Sequence, residues 1–382
     1  MFWAPVLFGN FRCLCILPSR MFIFVAGFIL LVTSWFTAAT WTHFSGWNAW
    51  TWQLAALSTA VVFITVIFVS FRRQHLLLQV TGTLSAVAMG FLNYALVAAV
   101  ASWMALGLVR LAGLEIAPSA IARVLFGGAI VVTLFGLVNA ARLRVTRATV
   151  HLANLPEWWR GREVALVSDL HVGNIRGARF IRRVVSRLAQ LKPAAVFIAG
   201  DMFDGARVDI PRSVEPWKGF RATAGIYFVT GNHDEFSDRR AYLTELAAVG
   251  IHVLNNERVD VLGLQIVGVH DSETHRPTIY REILERAGID RGRASVLVAH
   301  QPAHLEIPEE AGVSLQLSGH THGGQFWPWS FLVRKIYRRF AYGLNSLGGL
   351  QVFTSSGAGS WGPPMRVGTR SEIVLLRLES KS

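Results

Sequence analysis

Residues 164–171 read VALVSDLH, four apolar residues closed by Ser, Asp and His. The apolar half has the length and β-branched character of a buried strand, and the polar half follows at its carboxyl end. The same arrangement returns four times. AAVFIAGDMFD (194–204) ends on Gly200, Asp201 and Asp204, and GIYFVTGNHD (225–234) ends on Gly231, Asn232, His233 and Asp234. SVLVAH (295–300) ends on His300, and SLQLSGHTHGG (314–324) ends on His320 and His322. Strands are therefore predicted at Val164–Ser168, Ala194–Ala199, Gly225–Thr230, Ser295–Ala299 and Ser314–Leu317. Others are predicted at Ile251–Leu254, Val259–Leu262, Leu264–Val269, Leu350–Thr354 and Ile373–Leu378. Helical periods cover Arg176–Leu191 and Ser237–Val249. This order, βαβαβ first and β-rich later, predicts two packed sheets with helices outside.

The carboxyl ends of the strands in an α/β sheet line one crevice. Five loops thus deliver Asp169, His171, Asp201, Asn232, His300, His320 and His322 to one place. Carboxylate, imidazole and amide oxygen without thiol suit a borderline-hard ion such as Mn, Fe or Zn. The two cysteines, Cys13 and Cys15, lie far upstream. Seven ligands are too many for one ion and fit two, with a carboxylate such as Asp201 able to bridge. Two such ions can clamp the attacking and leaving oxygens of a displacement at phosphorus. Gly200, Gly231, Gly319, Gly323 and Gly324 supply tight turns and close backbone approach.

Outward from this region the composition splits. The chain has 382 residues, 52% hydrophobic and 16% charged, with a net charge of +13. Residues 1–150 carry nine Arg and one Glu, and the remainder is only +5. That small excess gives little support to a nucleic-acid groove. Residues 22–40, 51–71 and 124–141 are uncharged, and each approaches the ~20 residues that span a bilayer. The 34 uncharged residues from Leu76 to Val109 are read as one long helix centred on 84–106. Splitting that run into two spans would put the C-terminal domain on the other side. Arg12 and Arg20, Arg72 and Arg73, and Arg142, Arg144 and Arg147 fall on one side of a four-span arrangement. The positive-inside rule then places both termini in the cytoplasm. Trp41, Trp47, Trp50 and Trp52 would form a belt at the outer interface. The expected organisation is an extension over 1–20, a multi-pass α-helical membrane region over 21–141, a linker over 142–160 and an α/β domain over 161–382.

The set D-x-H, G-D-x-x-D, G-N-H-D, a lone His and G-H-x-H resembles the calcineurin-like metallophosphoesterases over about residues 160–380. With the helical region ahead of it, the chain is similar to the membrane-anchored branch, and Gly323-Gly324-Gln325 fits that branch. The resemblance implies a four-layer α/β/β/α sandwich of two mixed sheets. It implies one metal on Asp169, His171, Asp201 and His322, and another on Asp201, Asn232, His300 and His320. Asp201 would bridge them together with a water or hydroxide that attacks phosphorus. His233 would protonate the leaving oxygen or stabilise charge, Asp234 would orient His233, and Asp204 would support a ligand. Gly205-Ala206 after Asp204 argues against the protein-phosphatase branch. His252, His270, Asp271, His275 and His304 stay outside this assignment.

These readings lead to a metal-dependent phosphohydrolase on a bacterial inner membrane. It would act on a phosphate ester or pyrophosphate, with a lipid-linked substrate such as UDP-2,3-diacylglucosamine and membrane lipids as partners. A phosphodiesterase for nucleotides or nucleic acid is one alternative, and a non-catalytic membrane sensor or scaffold is another. Phe326–Tyr342 mixes aromatics with four cations and is read either as a solvated loop or as an interfacial patch.

Overall fold

The computed structural model describes residues 19–70, 76–173, 175–204, 208–236 and 239–381. The expected extension, up to residue 18, lies outside the described residues, as do Arg72 and Arg73. The chain divides into two compact units. One takes the chain up to Asn139 plus Gly362–Val367, and the other takes Ala140–Trp361 plus Gly368–Ser382.

The first unit holds four helices at the four apolar stretches: α1 (Ser19–Ser45), α2 (Ala49–Ser70), α3 (Leu76–Leu111) and α4 (Pro118–Ala141). The 34-residue run is one continuous helix within α3. Among the described residues, α3 and α4 are long and apolar enough to cross a membrane. The described part of α2 that passes as apolar is shorter, Trp50–Val66. The buried face of α3 is made largely of small residues, Ser85, Ala86, Gly90, Ala95, Ala98, Ala99 and Ser102, which let neighbouring backbones approach. Helix hydroxyls return to the backbone one turn back, as Ser102 Oγ does to Ala98 O at 2.8 Å. Trp41, Trp47 and Trp52 pack ring on ring around the α1–α2 turn, with centroids 5.5–6.4 Å apart.

Gly362–Val367 is built into this helical unit. A Cβ on Gly90 would stand 2.3 Å from Met365 Sδ, so only glycine leaves room there. The Arg366 N–H donates to Gly136 O, and Asn139 Nδ2 donates to Arg366 O, both at 2.9 Å.

The second unit contains twelve strands in two six-stranded sheets. Chain order gives β1 (Arg144–Leu152), β2 (Glu163–Val167), β3 (Val196–Ala199), β4 (Ile226–Val229), β5 (His252–Val253) and β6 (Glu257–Val261). There follow β7 (Leu264–Val269), β8 (Ser295–Ala299), β9 (Leu315–Ser318), β10 (Gly343–Leu347), β11 (Leu350–Thr354) and β12 (Glu372–Ser380). The first sheet runs β1-β12-β2-β3-β4-β5, and the second β10-β11-β9-β8-β7-β6. Both are mixed. β12 and β2 are antiparallel in an otherwise parallel first sheet, and antiparallel pairs close both edges of the second.

Side-chain alternation sets the layers. Val164 and Leu166 point into a core shared with Val296, Val298, Leu315 and Leu317 of the facing sheet. Ala165 and Val167 point the other way, onto Ile181, Val184 and Leu188 of the helix Ala178–Leu191. The outer face of the second sheet packs on Tyr280, Ile283 and Leu284 of the helix Pro277–Ala287. The result is the expected α/β/β/α layering. Residues 142–160 correct the expected linker, because they contain β1. That strand pairs with β12 from Arg144↔Glu372 to Leu152↔Ser380. As a sheet edge it keeps Arg147 and Thr149 polar, and this hid its strand character in the sequence.

Candidate metal centre

Each expected site residue follows a central strand: Asp169 and His171 after β2, Asp201 and Asp204 after β3, Asn232 to Asp234 after β4, His300 after β8, and His320 and His322 after β9. The structure brings the seven expected ligands into two adjoining clusters. In the first, His171 Nε2 lies 3.1 Å from His322 Nε2 and 3.7 Å from Asp201 Oδ2. His322 Nε2 lies 3.4 Å from Asp169 Oδ1. In the second, His300 Nε2 lies 3.2 Å from both Asp201 Oδ2 and Asn232 Oδ1. His320 Nδ1 lies 2.9 Å from Asn232 Oδ1 and 3.3 Å from His300 Nε2. Asp201 Oδ2 belongs to both.

The donor set fits two cations. Ligands on one ion at about 2.0–2.2 Å stand roughly 3.0–3.6 Å from each other, which is the spacing found here. The tautomers agree. His171 Nδ1 is 3.1 Å from Asp204 Oδ1, and His300 Nδ1 is 2.7 Å from Ala199 O. A proton on each Nδ1 leaves each Nε2 as a lone pair turned into its cluster. Lone pairs and carboxylate oxygens facing one another this closely repel unless a cation sits among them.

The local field points the same way. Burial raises Asp201, but the imidazoles of His300, His233 and His171 together outweigh it and hold the carboxyl well below its usual range. Burial disfavours a charge on His300, yet Asp201, Asp169 and Asp271 hold it well above the ordinary histidine value. At the shared carboxylate the field therefore favours positive charge. Burial, with His300 adding to it, pushes His320 down to about 3.

Backbone strain is concentrated here. Asp169, His171, Asp201, His320 and His322 all have positive φ, between 47° and 69°. Non-glycine residues hold that conformation at a cost of about 1–3 kcal/mol each. Close approach explains two glycines. A Cβ on Gly231 would stand 2.2 Å from Asp201 Oδ1, and one on Gly319 would stand 2.4 Å from Asp169 Oδ2.

Two roles need restating. Asp234 was expected to orient His233. Instead its oxygens accept backbone N–H groups from Gly231 and Phe203 at 2.9 Å and from Met202 at 3.3 Å, tying the β3 loop to the β4 loop. Burial and the nearby Asp201 push it up to about 7 against those bonds. The carboxylate near the His233 ring is that of Asp204, at 3.8 Å. His233 stands against His171, with ring centroids 4.8 Å apart, and burial lowers its pKa.

The other histidines lie outside the clusters. His270 Nδ1 accepts the Thr230 N–H, and His275 pairs with Asp271 at 3.1 Å. His252 and His304 stand by Glu257 and Glu306.

Residues that sequence reasoning missed come from the segment before β12. Ala358 N–H and Gly359 N–H donate to Ser168 O and Asp169 O at 2.9 and 2.8 Å, backing the first ligand loop. Buried Glu372 anchors that segment by accepting from Ser356 N–H and Ser356 Oγ, each at 2.9 Å. Trp361 brings its ring to 5.9 Å from His233. The small-residue run SSGAGS (355–360) was the available signal.

Residues 163–324 match the family described as Calcineurin-like phosphoesterase. This part of the chain is a calcineurin-like metallophosphoesterase domain. An uncharacterized metallophosphoesterase of Helicobacter pylori strain J99 is 31% identical over 249 residues, covering 63% of this chain and 65% of the relative. One of Campylobacter jejuni is 32% identical over 231 residues, covering 59% and 62%. A Danio rerio protein named "Transmembrane protein with metallophosphoesterase domain" is 32% identical over 265 residues, covering 65% and 60%. The chain thus spans between 60% and 65% of the length of these relatives.

Proposed function

We infer that the chain is a membrane-anchored phosphohydrolase that works with two divalent cations. The observation that carries this reading is the sharing of Asp201 Oδ2 by both ligand clusters. Asp169, His171, Asp201 and His322 would hold one ion, and Asp201, Asn232, His300 and His320 the other. When bound, ions of the Mn, Fe or Zn kind supply Lewis acidity toward a phosphoryl oxygen and make water a better acid. The protein's own groups do the rest. Asp204 and the Ala199 carbonyl fix the tautomers of His171 and His300. Asp234 holds two ligand loops in register. His233, at the edge of the first cluster, would present an N–H to the leaving oxygen or stabilise its charge.

Membrane attachment is supported by α3 and α4 and by the name of the Danio rerio relative. In our reading α1–α4 all span, both termini are cytoplasmic, and the membrane is a bacterial inner membrane. The finer substrate is a lipid-linked phosphate or pyrophosphate, with UDP-2,3-diacylglucosamine as one candidate. A substrate panel on the detergent-purified full chain tests this, with Mn or with chelator and with Asp201→Asn as control. It should contain an aryl phosphate, an aryl diester, a nucleotide diester and a nucleotide-diphospho-lipid. Metal-dependent turnover, highest on the lipid, is expected. Preference for the nucleotide diester would move the substrate class, and hydrolysis of nothing would leave a non-catalytic membrane protein.

A further inference from the structure

Neither ligand cluster uses the cations and exposed rings of residues 326–342. The helix Trp329–Tyr337 has two sides. Val333, Ile336 and Tyr337 are half-buried, and the Tyr337 ring lies 6.1 Å from the His320 ring. The opposite side carries Phe331, Arg334 and Lys335, spaced i, i+3, i+4 and all exposed, and the exposed Arg338 follows the helix end. Trp327, Trp329 and Phe331, at the N-terminal end, are 41%, 51% and 63% exposed. Among the described residues, Arg334, Lys335, Arg338 and Arg339 make no ion pair. The sequence has no acidic residue between Glu310 and Glu372 to neutralise them. A fourth exposed ring, Trp361, stands beside His233 and is 40% exposed. From it the chain passes directly into Gly362–Val367, which belong to the helical unit.

Three large rings next to four uncompensated cations match one surface chemistry, the headgroup layer of an anionic bilayer. Rings lodge there at the acyl boundary, and Lys and Arg meet the phosphates. A nucleic-acid track would want cations without so much exposed apolar ring. We propose that the helix Trp329–Tyr337, with Trp327 ahead of it, is an interfacial element that lays the mouth of the metal centre on anionic lipid. The proposal rests on the membrane reading above, and it gives that reading a route by which a lipid-borne phosphate meets the ligand clusters.

The test reads depth rather than turnover. The full chain, with Cys13→Ser and Cys15→Ser, takes a nitroxide at Phe331→Cys or, as a reference, at Leu262→Cys on the exposed β6–β7 turn. It is placed one copy per nanodisc in phosphatidylcholine, with or without phosphatidylglycerol. The ratio of oxygen to aqueous nickel accessibility at 331 should exceed that at 262 by roughly fivefold and rise further with phosphatidylglycerol. Charge reversal by Arg334→Glu, Lys335→Glu, Arg338→Glu and Arg339→Glu should return 331 to water while the 262 spectrum stays unchanged. If that variant does not fold, Arg334→Gln with Lys335→Gln gives the same reading at smaller amplitude. A 331 label as wet as the 262 label overturns the proposal. So does shielding indifferent to lipid charge and to the substitutions, which means protein cover, and so does shielding found only with two copies per disc. Absence of phosphate-ester hydrolysis in the wild type would sink the enzyme reading and leave these depths as they are.

Discussion

The helical unit and the ligand loops solve opposite problems. Along α3 most buried positions are small, Gly90 beside Met365 being the one that must be glycine, and the backbone is satisfied within the helix. In the loops after β2, β3, β4, β8 and β9 most buried side chains are polar, with Leu170, Val172, Met202 and Phe203 packed beneath them. There the chain sits in left-handed conformations at five ligand positions, and a single methyl at Gly231 would collide with Asp201. Packing in one region tolerates substitution by kind, whereas geometry in the other demands particular atoms. Strain that would be a defect in a helix is held in the loops by bonds such as those of Asp234, and in return it aims lone pairs at two points.

That contrast is easiest to break at Asp201. Replacing it with Asn removes the shared anionic oxygen, so kcat on an aryl phosphate should fall on the order of 1,000-fold, with metal content by mass spectrometry below two per chain. Unchanged metal content would mean that the clusters are independent. Gly231→Ala should cost about 100-fold in activity while the circular dichroism of the helices stays the same, because the added Cβ strikes Asp201 and touches nothing in the helical unit. Asp204→Asn leaves a hydrogen-bond partner for His171 but removes its charge. A metal affinity about 10-fold lower, read by competition with a chelator, is the expected outcome.

The pair Asp271–His275 sharpens the comparison without touching a ligand. Burial opposes the charge on each, but each partner outweighs it, so Asp271 is lowered and His275 raised. The Asp271 contribution is present above its unfolded value and is lost on acidification. The His275 contribution is present below about pH 6.5 and is lost as pH rises through the raised value. His275→Gln should therefore flatten the decline of thermal stability on the alkaline side of pH 6.5, and an unaltered profile would show that the pair is silent. The smallest effect belongs to the helices. Gly128→Ala meets nothing within 4 Å and should shift stability by less than about 1 kcal/mol, with activity unchanged.

Legibility followed the same division. The apolar helices announced themselves by composition, and the loops did so by polar residues placed just past buried strands. Elements with neither signal were missed. β1 (RVTRATVHL) has two Arg and two Thr among its apolar residues, and β10 (GLNSL) is too short and polar to stand out. The helix Pro277–Ala287 lies in a charged stretch whose period is visible only beside the sheet it covers. The role of Asp234 was misjudged for a related reason. Its partners are the backbone N–H groups of Met202 and Phe203, 32 and 31 residues away, and of Gly231, and side-chain identity carries no mark of them.

The insertion of Gly362–Val367 among the helices has a practical consequence for anyone who wants the two-sheet unit alone. A truncated product beginning at Ala140 would still carry Pro363, Met365 and Arg366, now stripped of the glycine-lined seats at Gly90 and Gly136 that receive Met365. Such a fragment would offer a sticky tip and would self-associate in buffer. Trimming that tip to a short polar turn, rather than shifting the start site, is the change that should keep it monodisperse.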